Sequence, residues 1–313
     1  MNKDSLRYRS EILQSLRGFF QQRQAMEVDV PVLARSTVTD INIESINVEV
    51  FGNIGYLQTS PEYFMKRLLA CGVGDIFCLG KAFRDSEVGR RHNPEFTMLE
   101  WYRCGWDEHQ LMAEVADLIC ELVQRHASVD LAVSKVSYAD CFTKYLGVDP
   151  HNAQLAVLQQ MAVAASSDNW ATETRGNCLD LLFSFSVEPQ LHRGLVFVYD
   201  YPACQAALSQ IYLNDHGQTV SRRFEVFFNG MELANGYAEL TDADEQKARF
   251  EKDIGQRLLG NKPAVAVDNK FIEALELGLP ACAGVALGVD RLLMQLLDVE
   301  SIAQVMPFSW ERC

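Results

Sequence analysis

Several features that would place this chain in other classes of protein are missing from it. Basic residues are few, since 28 Lys and Arg stand against 42 Asp and Glu and give a formal net charge of −14. This excess of acid argues against an extended nucleic-acid surface, which needs basic side chains on phosphates. The nine cysteines form no CxxC pair or zinc-spaced cluster. No apolar run of about 18 residues and no signal-peptide core occur, so we expect a cytoplasmic protein without membrane contact.

The composition that is present is that of a soluble globular protein. Hydrophobic residues make up 48% of the sequence. Its length of 313 residues fits one large domain or two ordinary ones. Apolar residues recur at helical spacing over residues 4–24, and the alternating stretch Val28–Pro31 follows as a short strand. Ser60-Pro61 predicts a helix start with the serine as N-cap. Apolar stretches at 75–83 and 96–101 predict antiparallel strands, so the expected fold is α+β, an antiparallel sheet flanked by helices.

The dipeptide Asn229-Gly230 predicts a tight hairpin, because both central residues of a type I′ turn need positive φ. The register that follows from this turn places Phe227 opposite Glu232 and Glu225 opposite Ala234. The two glutamates would then lie diagonally on one face of the hairpin. They repel each other unless a cation lies between them, and Mg²⁺ prefers a few carboxylates plus substrate phosphates. Two surface glutamates on a half-exposed strand are the alternative from this segment alone.

Three further segments contain residues suited to ligand binding. The segment MELANGYAEL, residues 231–240, carries Glu239, which is either a buried counter-ion for a ligand ammonium or a solvated strand-end glutamate. The loop at 84–96 holds three arginines, a histidine and Phe96, which suit phosphates and a nucleotide base. A merely solubilising loop is the alternative. Residues 284–291 predict a strand that contains glycines and leads into a helix. The segment is neither a Walker A motif nor a GxGxxG motif.

Taken in order, these segments resemble the catalytic domain of the class II aminoacyl-tRNA synthetases, in particular the lysyl branch. The first helix with Val30-Pro31 is similar to motif 1 of that family, Phe83 to Glu100 to motif 2, and Gly284 to Arg291 to motif 3. Motif 2 includes the nearly complete sequence Arg-His-Asn-Pro-Glu-Phe. We expect one catalytic domain over residues 1–313 with no anticodon-binding domain. The chain therefore most resembles the truncated lysyl-tRNA synthetase paralogues that ligate (R)-β-lysine to a lysine of elongation factor P.

The resemblance implies a role for each matching residue. Arg84 and Arg291 would be the catalytic residues. The residues that bind ATP would be Arg84, Asp85, Ser86, His92, Asn93, Phe96, Glu232, Leu233, Gly288 and Arg291, and Glu225 and Glu232 would hold Mg²⁺. The residues that bind β-lysine would be Ser60, Pro61, Glu62, Tyr102, Asn235, Glu239 and Ala286. The family has glutamate where this chain has Ser86, and Glu87 follows one place later, so which of these two faces the nucleotide stays open.

Ala286 carries a prediction about substrate choice. Lysyl-tRNA synthetases have glycine at the matching position, so this chain adds one methyl group to the wall beside the amino acid. In a close-packed site a single added methyl group changes which ligands fit. The smaller space beside the amino acid should therefore disfavour α-lysine as a substrate more than the β isomer.

The function that the resemblance implies is ATP-dependent activation of (R)-β-lysine as an adenylate, followed by ligation to elongation factor P. It also implies a homodimer through the first helix and the Val28–Pro31 strand, with ATP and Mg²⁺ as cofactors and no stable tRNA binding. The alternatives are a free-standing lysyl-tRNA synthetase-like enzyme, an asparagine-synthetase-like enzyme and a non-catalytic nucleotide-binding regulatory paralogue. Residues 127–195 contain no cluster with a predicted role.

Overall fold

A large, mainly antiparallel sheet organises the chain and confirms the α+β fold. The structure is a computed structural model that describes residues 3–127, 130–166 and 169–313. In spatial order the described strands of this sheet are β1 (Met26–Glu27), β5 (Ile76–Phe83), β6 (Glu95–Cys104), β12 (Cys282–Gly288), β11 (Met231–Ala238), β10 (Thr219–Phe228), β8 (Leu195–Pro202) and β7 (Val133–Ser137), with β9 (Ile211–Leu213) paired to β10. The β1–β5 and β7–β8 pairs are parallel, and the other pairs are antiparallel.

A second, smaller antiparallel sheet and the helices complete the described fold. The small sheet has the spatial order β2 (Leu33–Ala34), β4 (Asn53–Leu57) and β3 (Asn47–Val50). The helices are α1 (Lys3–Gln22), α2 (Glu62–Ala70), α3 (Glu108–Ala127), α4 (Tyr138–Leu146), α5 (Leu155–Ala165), α6 (Arg175–Leu182), α7 (Ala243–Leu259), α8 (Asn269–Gly278) and α9 (Val289–Leu296). A single π-helical turn, Phe183–Val187, continues α6.

The two faces of the central strands have different roles because successive side chains of a strand point to opposite sides. Trp101 and Val285 belong to the main apolar core, where the strands pack against α1, α3 and α9. Their chain neighbours Tyr102 and Ala286 line a cavity on the opposite face. Burial of one face against helices therefore fixes which residues of β6, β10, β11 and β12 are presented to a ligand.

Two predicted element boundaries near motif 1 were wrong. Ser60 does not cap α2, which begins at Glu62, because Pro61 already has a helical backbone (φ −76°) and precedes the first turn with no side-chain cap. The first strand lies at Met26–Glu27 and not at Val28–Pro31. Beyond it only the N–H of Val28 still bonds to the neighbouring strand, at 2.8 Å from Phe77 O.

The hairpin between β10 and β11 has the predicted turn but a different register further on. Residues 229–230 both have positive φ, 47° and 76°. Glu225 lies opposite Asn235 and not opposite Ala234, because a β-bulge interrupts the pairing. The extra residue is Leu233, which is buried in the main core. The bulge therefore pairs the cavity-facing carboxylate of β10 with a cavity-facing amide.

Candidate active site

The open face of the central strands is the floor of a cavity of about 870 Å³. Every residue predicted to bind a ligand lines this cavity except Pro61, Asp85 and Ser86. Ser86 is exposed and has a positive φ of 62°, whereas Glu87 lines the cavity. Glu87 is thus the acidic residue of this loop that can reach a ligand there. The binding roles themselves stay predictions.

One end of the cavity is rich in cationic and aromatic groups. Arg84 follows β5, and its guanidinium carbon lies 5.2 Å from the centre of the Phe96 ring. The Nε of Arg84 is buried without a hydrogen-bond partner in the described chain. Arg291, in the first turn of α9, lies 2.6 Å from His92 Nε2 and donates to Glu232 O at 3.0 Å. Forked guanidinium groups beside an aromatic ring suit phosphates and a nucleotide base.

His92 is a neutral hydrogen-bonding group in this arrangement. Burial lowers its pKa, and the positive charge of Arg291 lowers it further. A neutral imidazole can accept the hydrogen bond that the guanidinium group donates. The pair therefore presents the remaining N–H groups of Arg291 to the cavity in a fixed orientation.

Glu225 and Glu232, the two glutamates predicted to hold Mg²⁺, both line the cavity. Glu225 accepts hydrogen bonds from Tyr201 OH at 2.7 Å and Arg223 Nη2 at 2.5 Å. Burial raises the pKa of Glu225 to about 7, with the charge of Arg223 opposing and that of Glu232 adding. Within the described residues no group of three or more His, Cys, Asp or Glu is arranged around a metal position. Two carboxylates fit Mg²⁺ that takes its other ligands from phosphates and water.

The opposite end of the cavity is built around Lys66, which the sequence analysis missed. Its side chain is fully buried, and Nζ lies 2.6 Å from Glu62 Oε1 and 2.6 Å from Glu239 Oε2. The two carboxylates raise the pKa of Lys66 despite its burial, so the ammonium stays charged. The four-residue spacing from Glu62 on a predicted helix was an available signal. The contact with Glu239 was not, because it joins α2 to the end of β11.

Glu100 was also missed, and it adds a third carboxylate to this end. It is 2% exposed, and its Oε1 accepts a hydrogen bond of 2.6 Å from Tyr102 OH. Its Oε2 has no hydrogen-bond partner among the residues that the structure describes. Burial and the nearby charge of Glu62 raise the pKa of Glu100 well above its usual range. A buried carboxylate oxygen without a partner is suited to a ligand that donates hydrogen bonds.

Strand β12 forms the floor between the two ends. A Cβ at Gly284 would lie 2.3 Å from the Tyr102 ring and 2.6 Å from Glu239 Oε1, so only glycine fits there. Ala286 lies between Asn235 of β11 and Glu100 of β6 in the pairing. Its methyl group is thus in the wall beside the residues predicted to hold the amino acid.

Comparison of the sequence with known proteins shows the family of the chain. The family model for "tRNA synthetases class II (D, K and N)" matches residues 1–312, so the chain belongs to the class II aminoacyl-tRNA synthetase family. Among its relatives is the elongation factor P–(R)-β-lysine ligase of Proteus mirabilis (strain HI4320). The two are 46% identical over 311 residues, which cover 96% of this chain and 93% of that relative. In the described residues no helix is long and apolar enough to cross a membrane.

The Lys66→Met substitution tests whether this end of the cavity depends on the buried ammonium. We expect it to lower the free energy of unfolding by about 3–5 kcal/mol, because it leaves two buried carboxylates uncompensated. Urea denaturation followed by circular dichroism measures this loss. Lys270→Met is the matched control, since Lys270 is exposed and pairs with the exposed Glu273. Equal stability of the two variants would contradict the role given to Lys66.

Proposed function

We propose that the chain activates (R)-β-lysine with ATP and transfers the β-lysyl group to a lysine of elongation factor P. The observation that carries the proposal is the charge balance at the Lys66 end of the cavity. Burial raises the pKa of Glu100 well above its usual range and that of Glu239 to about 8, so these two carboxyl groups become fully ionised only when cationic groups of a ligand arrive. Glu62, Glu100 and Glu239 then carry −3 and Lys66 carries +1, which leaves −2. That balance complements the two ammonium groups of β-lysine. The name of the 46% identical relative supports the same substrate and acceptor.

The first chemical step is attack of a carboxylate oxygen of β-lysine on the α-phosphorus of ATP. The bond from that phosphorus to pyrophosphate breaks, and β-lysyl adenylate forms. Arg84 would hold the α-phosphate, while Arg291 and His92 would hold the distal phosphates. Glu225 and Glu232 would bind Mg²⁺, which supplies neutralisation of phosphate charge. No side-chain nucleophile is needed, because positioning and charge stabilisation supply most of the rate.

The second step moves the β-lysyl group to an amine. The ammonium of the acceptor lysine loses one proton, and its nitrogen attacks the carbonyl carbon of the adenylate. A C–N bond forms, the C–O bond to the phosphate breaks, and AMP leaves with the electron pair. The second proton leaves the nitrogen as the amide forms. The products are β-lysylated protein and AMP, so the enzyme is a ligase.

The acidic end of the cavity also weighs against one alternative. An asparagine-synthetase-like enzyme would have to hold the side-chain carboxylate of aspartate where Glu62, Glu100 and Glu239 converge. The aspartate carboxylate and the three glutamates would carry charges of the same sign, and such charges repel strongly in a buried site. Pyrophosphate exchange with ATP, run in turn with (R)-β-lysine, α-lysine and aspartate, tests the proposal directly. Exchange supported best by (R)-β-lysine, followed by a mass gain on elongation factor P, is the expected outcome.

Glu232→Gln is expected to reduce adenylate formation by about 10²-fold or more, because it removes a charge that faces the bound cation and phosphates. The fold should be unaffected, since the side chain faces the cavity and not the core. Pyrophosphate exchange at saturating Mg²⁺ measures the effect, and Glu276→Gln on the exposed side of α8 is the control. Exchange at the wild-type rate would refute the assignment of Glu232.

Ala286→Gly is expected to move the ratio of kcat/KM for (R)-β-lysine and α-lysine by roughly 10-fold or more towards α-lysine. The reason is that it removes the methyl group from the wall beside the amino acid. Ala283→Gly, on the core face of the same strand, should lower stability and leave the ratio unchanged. An unchanged ratio in Ala286→Gly would mean that selectivity is set elsewhere in the cavity.

The chain is also proposed to form a homodimer through α1 and the segment around β1 and β2. Four large apolar side chains of these segments are exposed, with Leu6 45%, Met26 49%, Val32 44% and Leu33 43% exposed. Exposed apolar side chains of this kind suit burial in an isologous two-fold contact. Sedimentation at micromolar concentration should give about twice the chain mass of 35.3 kDa. Leu33→Asp should shift the protein to monomers, and wild-type monomers would contradict the proposal.

A further inference from the structure

Three aspartates from separate elements line the cavity outside the residues assigned to ATP, Mg²⁺ and β-lysine. Asp40 lies in the connection between β2 and β3, Asp180 on α6 and Asp253 on α7. Asp40 and Asp253 are half-buried, and Asp180 is exposed. This three-aspartate cluster therefore extends from the interior of the cavity to its opening.

Asp40 lies close enough to Asp180 and to Asp253 to affect the charge of both. Burial raises the pKa of Asp253 to about 6, and the charge of Asp40 adds to the rise. Asp180 is exposed as a whole residue, but its carboxyl group takes part in a partly buried hydrogen bond with Gln205. Burial of that carboxyl group raises its pKa, with the charge of Arg223 opposing and that of Asp40 adding. Asp40 is thus the member that interacts with both of the others.

None of the three forms an ion pair with another described residue, in contrast to the carboxylates of the predicted binding sites. Glu62 and Glu239 are paired with Lys66, and Glu225 and Glu232 are paired with arginines. Each member of the three-aspartate cluster instead accepts a hydrogen bond from a neutral group. The donors are Asn42 N to Asp40 at 2.7 Å, Gln205 Nε2 to Asp180 at 2.5 Å and Thr39 Oγ1 to Asp253 at 3.0 Å.

The nearest basic side chains are engaged elsewhere or point outwards. Arg223, which acts on Asp180, lies 2.5 Å from Glu225. Arg249, which acts on Asp253, donates to two backbone carbonyl groups and to Glu245. Lys252 is exposed on α7. Arg257 donates to the backbone oxygen of Asp40 at 2.7 Å and pairs with Glu44 at 3.0 Å. Among the described residues no basic side chain therefore forms an ion pair with the three carboxyl groups that line the cavity.

Gln246 is an independent sign that a polar ligand binds here. It lines the same cavity, it is 0% exposed, and neither its Oε1 nor its Nε2 has a hydrogen-bond partner among the described residues. It precedes Asp253 by seven residues, which places both on one face of α7. Buried polar groups in native proteins nearly always have partners, so an amide with neither atom satisfied points to a group that arrives from outside.

We propose that the three-aspartate cluster, with Gln246, binds the ammonium group of the acceptor lysine before transfer. The inference rests on the proposed function, in which three cationic groups enter the cavity besides Mg²⁺. Two belong to β-lysine, and the carboxylates around Lys66 match them. The third is the acceptor ammonium, which needs negative charge at the opening and an apolar path for its four methylene groups. Val38, Leu208 and Phe250 line the cavity and supply apolar surface.

The experiment separates the two chemical steps in Asp40→Asn, Asp253→Asn and the double variant. Pyrophosphate exchange with (R)-β-lysine reports adenylate formation. Single-turnover transfer from enzyme-bound adenylate reports attack by elongation factor P, and the same adenylate is trapped with hydroxylamine, an uncharged nucleophile that needs no ammonium site. Glu251→Gln, an exposed carboxylate of α7, is the matched control. Gln246→Met removes both amide atoms and keeps a similar volume.

We expect exchange and hydroxylamine trapping to stay within about twofold of wild type, because in the described residues no hydrogen bond or ion pair joins the changed side chains to the assigned ATP and β-lysine residues. Transfer to elongation factor P should fall at least about tenfold in each aspartate variant, and further in the double variant, as charge-assisted hydrogen bonds are lost. Gln246→Met should slow transfer in the same selective way.

Three results would overturn the inference. Transfer at the control rate in the double variant would show that the cluster does not bind the acceptor. A raised KM for β-lysine in exchange would assign the aspartates to the first substrate instead. An equal loss of hydroxylamine trapping would mean that the adenylate itself is misplaced. If the wild-type chain formed no adenylate with β-lysine, the proposed function would fail first, and exchange alone would reveal it.

Discussion

The buried contact between Lys66 and two glutamates is the interaction on which the rest of the cavity depends. Two carboxylates cannot be held together inside a protein without a cation, because desolvation and mutual repulsion both oppose it. Lys66 supplies that cation from α2 and ties the helix to the end of β11. The same contact leaves one carboxylate oxygen of each glutamate for a ligand. The atoms that stabilise the fold here are thus the same atoms that are proposed to recognise an amine.

Charge is segregated along the cavity, and this segregation gives a bound ligand a direction. Arg84 and Arg291 make one end electropositive, whereas the carboxylates around Lys66 make the other end electronegative. The uncharged backbone of β12 separates them. A molecule with a carboxylate at one end and amines at the other can lie in only one orientation without like charges meeting. In the proposed reaction this orientation would bring the carboxylate of the amino acid beside the two arginines predicted to hold the phosphates.

The sequence predicted the fold class, and most of the residues that it predicted to bind ligands do line the cavity, because both depend on local patterns and on motifs in a fixed order. The Asn229-Gly230 turn was predictable from its own backbone preference. The bulge at Leu233 was not, since it is decided by packing of a leucine into the core and leaves no local signal. Glu100 was missed because a single glutamate in the apolar strand β6 does not by itself indicate a binding site. Its role becomes visible only when its neighbours across the sheet are known.

Strand β12 also limits how the ligand range of this scaffold can be altered. Gly284, Ala286 and Gly288 face the cavity in succession, about 6.7 Å apart along the strand. At Gly284 a methyl group would overlap Tyr102 and Glu239, whereas at Gly288 the nearest atom would be 3.7 Å away. The position of the wall at Gly284 therefore sets the depth of the electronegative end. It also limits the distance between the amino group and the carboxylate of a ligand that fits the cavity. Engineering towards a longer or shorter separation of amine and carboxylate would have to begin with the helix that carries Lys66. The room along the strand itself can be changed by single substitutions, because Ala286→Gly removes a methyl group and Gly288 has space for an added one.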